Sequence, residues 1–278
     1  MAVVPSAHEV WLRNARHWHL LRSPLRPSSE DTAVVARVAR EHARSLGHPL
    51  RALLLGVTPE TATLAWPAGT SLVAIDNSQW MIDAVWPAAG VPERARAVCA
   101  DWRAMPIDDG TIDVLAGDGS FNALAWSDYA TLASEVRRVL APGGVCVVRA
   151  FVAPEAREDV GTIAGDLWSG RIGSFHAFKW RLAMALQRSV EEGVQLAGVW
   201  EAWRAICADP RALAAKLGWD LAAIETIDAY REAAHAYTFP TLAELRGALA
   251  PRFEERGVEV PAYELGERCP TVVLGRAG

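Results

Sequence analysis

No apolar run in this 278-residue chain is long enough to span a bilayer, and the first twenty residues lack a basic stretch followed by an apolar one. The expectation is a cytoplasmic protein with no membrane partner. Cysteine is scarce: Cys99, Cys146, Cys207 and Cys269 lie far apart and form no paired spacing, so neither a disulfide framework nor a metal site is expected. Cys99 and Cys146 fall in apolar runs and read as small buried residues. Basic charge is not in excess either. The net charge is -5 and the isoelectric point about 5.8, with arginines scattered, which argues against a nucleic-acid partner. The one local basic cluster, Arg13, Arg16, Arg22 and Arg26, reads as a solvated helix face with one anchored arginine. Repeats, low-complexity tracts and a Gly-x-Gly-x-x-Gly motif are all missing.

Hydrophobic residues, by contrast, make up 51% of the chain and include twelve tryptophans, enough for a large core and an apolar pocket. Residues 6–21 space Val10, Trp11, Trp18 and Leu21 for a helical face. Pro24 and Pro27 interrupt any helix there, and Ser28 or Ser29 caps a second one over about 30–46. From Arg51 the pattern alternates: strands over 51–55, 71–75, 96–100, 112–116 and 144–150, helices over 59–66, 78–86 and 127–140. The strands are continuously apolar, as in a parallel sheet covered on both faces. Residues 154–233 read almost wholly as helix, with long runs near 176–192 and 219–235. A helix from Thr241 to Leu249 and an antiparallel pair, Phe253–Tyr263 with Cys269–Gly275, then complete the sheet. The expected organisation is an amino-terminal helical segment (1–46), a core (47–152 and 238–278) and an inserted helical cap (153–237).

The stretch from Arg51 to Ser78 carries the functional signal. An apolar run ends at Gly56, a short helical segment follows, and a second run ends on Asp76. An acid outside the carboxyl end of the second strand can accept both hydroxyls of a ribose, which points to a nucleoside cofactor.

Four further pieces agree along the sheet. They are Leu53-Leu54-Leu55-Gly56, Cys99-Ala100-Asp101-Trp102, Ile112 through Ser120, and Glu135-Val136-Arg137-Arg138-Val139-Leu140-Ala141-Pro142-Gly143-Gly144. Together with Asp76 they resemble a class I S-adenosylmethionine-dependent methyltransferase, over about residues 45–152 and 238–276. The resemblance implies an α/β, Rossmann-like sheet, mostly parallel with its last strand antiparallel. It also implies S-adenosyl-L-methionine as cofactor, with Asp76 on the ribose, Asp101 and Trp102 on the adenine, the loop Gly117–Ser120 beside the methionine with Asp118 on its amino group or on the incoming nucleophile, and Gly56 and Asn77 as further cofactor contacts. The first motif departs from the family's pattern, because Gly56-Val57-Thr58-Pro59-Glu60 keeps one glycine; Pro59 reads as the first residue of a short helix capped by Thr58.

Other residues carry two readings. Arg26, between two prolines, either reaches the cofactor carboxylate or anchors the amino-terminal helices. Phe121 and Asn122 floor the transfer site or pack the core. In the expected cap, His176, Lys179 and Tyr237 are candidate substrate contacts, and His176 or His235 a candidate base; the catalytic pair is expected to be Asp118 and His176. The expected function is methyl transfer to O, N or C of a small, aromatic or apolar molecule, with a homodimer as one option. The rivals are a nicotinamide-dependent oxidoreductase, which shares the glycine-to-acid spacing, and a catalytically inactive partner subunit.

Overall fold

The computed structural model describes residues 17–276. Most of the helix expected over 6–21 lies outside the described residues; Trp18–Leu20 forms a single 3-10 turn. Helix α1 (Ser29–Ala43) begins at a capping box. The Ser28 hydroxyl accepts from the backbone of Glu30 and Asp31, and the Asp31 carboxylate accepts from the Ser28 N–H.

Strand and helix then alternate: β1 (Arg51–Leu55), α2 (Pro59–Ala62), β2 (Ser71–Asp76), α3 (Gln79–Val85), β3 (Arg94–Cys99), β4 (Ile112–Asp118), α4 (Tyr129–Val139) and β5 (Leu140–Arg149). The helix expected over 59–66 is one turn. The Trp66 indole N–H donates to the carbonyls of Thr61 and Ala62, and the Thr63 hydroxyl takes that of Pro59, so side chains consume the carbonyls that would extend it.

Residues 160–237 hold five helices and one short strand pair. They are α5 (Val160–Trp168), α6 (Phe175–Leu186), β6 (Val194–Gln195), α7 (Leu196–Ile206), α8 (Pro210–Leu217), α9 (Leu221–Glu225) and β7 (Ala236–Tyr237), which pairs with β6. The two long helices expected here are shorter. Gln187 stops α6 by exchanging two hydrogen bonds, of 2.7 and 2.8 Å, with the backbone of Phe239. The run near 219–235 starts at the Asp220 cap and tightens after Glu225 into the 3-10 turn Thr226–Tyr230. The chain returns to the sheet through α10 (Leu242–Leu249), β8 (Phe253–Glu259) and β9 (Thr271–Arg276).

The sheet order is β3-β2-β1-β4-β5-β9-β8, with β9 antiparallel to both neighbours. The central strands are buried on both faces, one packing against α1 and α3 and the other against α4 and α10. Each side chain so buried contributes about 1.5–3 kcal/mol. β3 is an edge strand and alternates exposed with half-buried positions, so Cys99 is exposed rather than buried as expected.

One side chain joins the sheet to the helical layer. The Asn122 amide nitrogen donates to the carbonyls of Phe151 and Thr238, each at 2.7 Å, and its oxygen accepts the Phe151 N–H at 2.9 Å. Beside it, the Ala153 N–H donates to Pro240. Of the two readings for Asn122, its saturated hydrogen bonding favours packing. Asn122→Ala strands three buried backbone groups and should cost about 2–4 kcal/mol in urea unfolding.

Candidate cofactor and acceptor cleft

Between β1 and β4 the strand order reverses: the chain first runs outward through β2 and β3, then crosses back to β4. Ligands in open α/β sheets bind outside the carboxyl ends of the strands at such a point. A cleft opens there. Leu55, Gly56, Asp76, Met81, Trp102, Asp118 and Gly119 line its sheet side. Phe151, Lys179, Trp180, Tyr230 and Tyr237 line its helical side, and Trp18, Leu21 and Leu25 roof it. A smaller lobe of about 380 Å³ shares Leu55, Gly56, Thr58 and Asp118 and continues to Gly117, Asp31 and Arg149.

Asp76 is 9% exposed. Its Oδ1 accepts the Ser78 N–H at 2.9 Å, which leaves Oδ2 toward Gly56. Burial pushes its pKa up to about 6, against the opposing Ser78 hydrogen bond. Gly56 has φ +99°, and a methyl group there would meet Trp102, Asp76 Oδ2 and Thr58 at 3.9–4.0 Å. The glycine thus keeps open a cradle walled by an indole, a carboxylate oxygen and a hydroxyl, which another residue would strain and fill. The Trp102 indole N–H donates to Ile75 at 2.6 Å, fixing the ring across the end of β2. The single glycine of the first motif therefore stands where close approach is needed. Thr58 takes the position before the first turn of α2, although its side chain makes no cap hydrogen bond.

Asp118 borders both lobes, but its Oδ1 is held by Arg149 Nε at 2.6 Å. Burial raises its pKa and Arg149 opposes that shift. Gly119, at φ +60°, lets the loop after β4 pass under the Phe151 ring, 2.6 Å from where a Cβ would stand. Arg149 is 3% exposed and also donates to the Pro24 carbonyl and the Tyr263 hydroxyl, with Asp31 at 3.6 Å. Its Nη2 is buried without a hydrogen-bond partner among the described residues. The sequence signal for Arg149 was a lone charge closing the apolar run Val145–Val148.

Four expected site residues stand outside the cleft. Asn77 is exposed on the far side of the Asp76 turn. The Asp101 carboxylate is taken by Arg103, which also bridges to Asp128, and these bonds pull the Asp101 pKa down. Arg26 pairs with Glu60 and donates to the Trp18 carbonyl, which matches its anchoring reading. His176 is buried with its Nε2 on the Leu20 carbonyl at 3.1 Å, and burial lowers its pKa to about 4. His176 thus ties α6 to the roof and is neutral near pH 7, so the structure does not bring the expected catalytic pair together.

Lys179, one turn further along α6, does reach the cleft. It is 2% exposed, its Nζ lies 3.2 Å from the Thr226 hydroxyl and 5.0 Å from the Tyr230 ring centre, and burial lowers its pKa to about 7. Among the described residues no group of three His, Cys, Asp or Glu side chains is placed to hold a metal, and no helix is long and apolar enough to cross a membrane.

The sheet order resembles that of a class I S-adenosylmethionine-dependent methyltransferase domain, with a carboxylate at the end of β2 and an open cradle at Gly56. Residues 53–148, about a third of the chain, match the family model of the methyltransferase domain, from β1 to the end of β5. No curated protein matches the sequence. Among solved structures, a Rhodobacter sphaeroides protein described as a Zn-dependent alcohol dehydrogenase superposes with a TM-score of 0.59 at 12% identity over 100% of both chains. The N-methyltransferase NodS of Bradyrhizobium japonicum WM9, solved with S-adenosyl-L-homocysteine, gives 0.56 at 12% identity over 99% of this chain and 100% of that one. The 1,6-didemethyltoxoflavin-N1-methyltransferase of Burkholderia thailandensis gives 0.50 at 14% identity over 100% and 93%. At these identities the likeness is one of fold.

The Lys179 shift fixes a sign for stability against pH. In the unfolded chain the amine holds its proton up to about 10.5, in the folded protein up to about 7, so folding stability rises with pH across that window. Lys179→Met should therefore stabilise the fold, most at and below about pH 7, with the gain fading toward pH 10.5. Urea unfolding at several pH values checks this.

Proposed function

We propose that this chain transfers a methyl group from S-adenosyl-L-methionine to O, N or C of a small, aromatic or apolar molecule held between the sheet edge and the helical layer. The observation that carries the reading is the free Oδ2 of Asp76 beside Gly56 and Trp102, at the mouth of a cleft that continues into an aromatic wall. When bound, the cofactor supplies a methyl group on a positively charged sulfur. Asp76 would hold its ribose through Oδ2, and the Trp102 indole would pack against its adenine. The unpartnered Nη2 of Arg149, bordering the smaller lobe, is placed to take its carboxylate. Asp118 then serves by orienting Arg149.

On the acceptor side, Phe151, Trp180 and Tyr237 pack edge to face at 5.0 and 5.4 Å, so the wall is rigid. A rigid wall favours transfer by holding the acceptor in line and excluding water; orientation of this kind can supply ~7–11 kcal/mol of a barrier.

Calorimetry with S-adenosylhomocysteine and with NADH tests the reading: the first should bind and the second should not. NADH binding without S-adenosylhomocysteine binding would overturn it. Asp76→Ala should weaken S-adenosylhomocysteine by about 1–3 kcal/mol. Ribose hydroxyls favour the ionised carboxylate, so binding lowers the Asp76 pKa and releases a proton below about pH 6. Wild-type affinity should climb as the pH rises to about 6 and level off above it, a slope that Asp76→Ala should lack.

A further inference from the structure

Lys179 has a setting that packing alone does not call for. The chain has 28 lysines and arginines, and just two of them, Lys179 and Lys216, are lysines. An arginine cannot be deprotonated in a protein, whereas a lysine readily shifts its pKa when buried. One of the two lysines is sealed in the cleft wall, and no carboxylate pairs with it among the described residues. The titratable groups around it are His176 on its own helix, Tyr230 on the 226–230 turn, Tyr237 on β7 and, on the sheet side of the cleft, Asp76 and Asp118. His176 and the two tyrosines are held neutral by burial, Asp118 is engaged by Arg149, and Asp76 adds no resolved effect on Lys179.

The one hydrogen bond of the amine has a fixed direction. The Thr226 hydroxyl donates to the Ala223 carbonyl at 2.7 Å, so toward Lys179 its oxygen accepts. A neutral Lys179 therefore spends an N–H on Thr226 and keeps its lone pair. Next to it in sequence, Trp180 also lines the cleft, and its indole N–H is buried without a hydrogen-bond partner among the described residues. This half of the cleft thus offers a base and a donor within an aromatic wall.

We propose that Lys179 is the general base of the transfer and that the acceptor is a small aromatic molecule with an acidic hydroxyl, a phenol or enol, and a second polar atom that accepts from Trp180. The inference rests on the methyltransferase reading above. In the step assigned to Lys179 the acceptor O–H bond breaks and an N–H bond forms on Nζ. The O–H electron pair stays on oxygen, which becomes the anionic nucleophile, and the ammonium returns its proton to water after the product leaves. An amine acceptor that is already neutral needs no such group, and a carboxylic acid is already ionised near pH 7. A base with a pKa near 7 matches an acidic hydroxyl, and burial brings Lys179 to about that value.

With two lysines in the chain, labelling the lysine ε-carbon gives two side-chain signals, and Lys179→Met assigns them. In the wild-type protein the Lys179 signal should titrate near neutral pH. The probe is 4-nitrophenol, whose anion absorbs visible light and whose neutral form does not. Added below its own pKa to protein saturated with S-adenosylhomocysteine, it should bind with a saturable anion band, while the Lys179 signal moves to its ammonium position. In Lys179→Met the band should be lost while S-adenosylhomocysteine still binds by calorimetry. A Lys179 signal titrating in the ordinary lysine range, an equal band in the variant, or no binding of the phenol would each overturn the proposal. Failure of the wild-type protein to bind S-adenosylhomocysteine would instead sink the methyltransferase reading.

Discussion

A guanidinium sealed at the carboxyl end of β5 organises this molecule. Arg149 is removed from water, and an isolated ion in that position would be costly by several kcal/mol. Its compensation comes from four separate parts of the chain: Asp118 at the end of β4, Asp31 in the first turn of α1, the Pro24 carbonyl in the roof segment and Tyr263 in the loop before β9. Tyr263 in turn donates to Asp31. Two carboxylates against one guanidinium leave the cluster formally negative, yet one guanidinium nitrogen remains unpaired. The arrangement holds sheet, roof and carboxy-terminal loop in one register around the place where the two lobes meet.

The same segment explains why the cleft has a roof at all. Pro24 and Pro27 keep residues 23–28 out of a helix, and the chain crosses the strand ends in an irregular path. Its polar backbone groups are met from below: Leu20 by His176, Trp18 by Arg26, and Pro24 by Arg149. Of these side chains, His176 and Arg26 looked in the sequence like candidates for chemistry. These two hold the roof down, and neighbours such as Lys179 face the space they help enclose.

Much of the fold was legible because its signals are local. The first five strands, the acid closing β2 and the Glu135–Gly144 turn each follow from a short run of residues. What was not legible depends on partners distant in sequence or on order within the sheet. Cys99 lies in an apolar run, but its exposure follows from β3 being the edge. The acidic Asp101 was readable as a strand-end carboxylate, whereas its capture by Arg103 two residues on depends on the turn they share. Arg149 and Lys179 carried a common signal, a single charge inside a run of buried apolar residues; Lys179 was weighed as a substrate contact and Arg149 was passed over. Such a charge needs a stated reason, and in both cases the reason lies at the cleft.

The Asn122 clamp has a consequence for how this architecture can diverge. Phe151 and Thr238 are held by one amide, and Ala153 bonds directly to Pro240, so the two ends of the intervening helical layer leave the sheet side by side. A loop whose ends meet is topologically a graft: its length and shape can drift across generations without moving the strands beneath it. The sheet side of the cleft is set by the strand ends, and Lys179, Trp180, Tyr230 and Tyr237 on its helical side all lie in the graft. Change in that layer can therefore reshape the helical side of the cleft while leaving untouched the strand ends that hold Asp76 and Gly56.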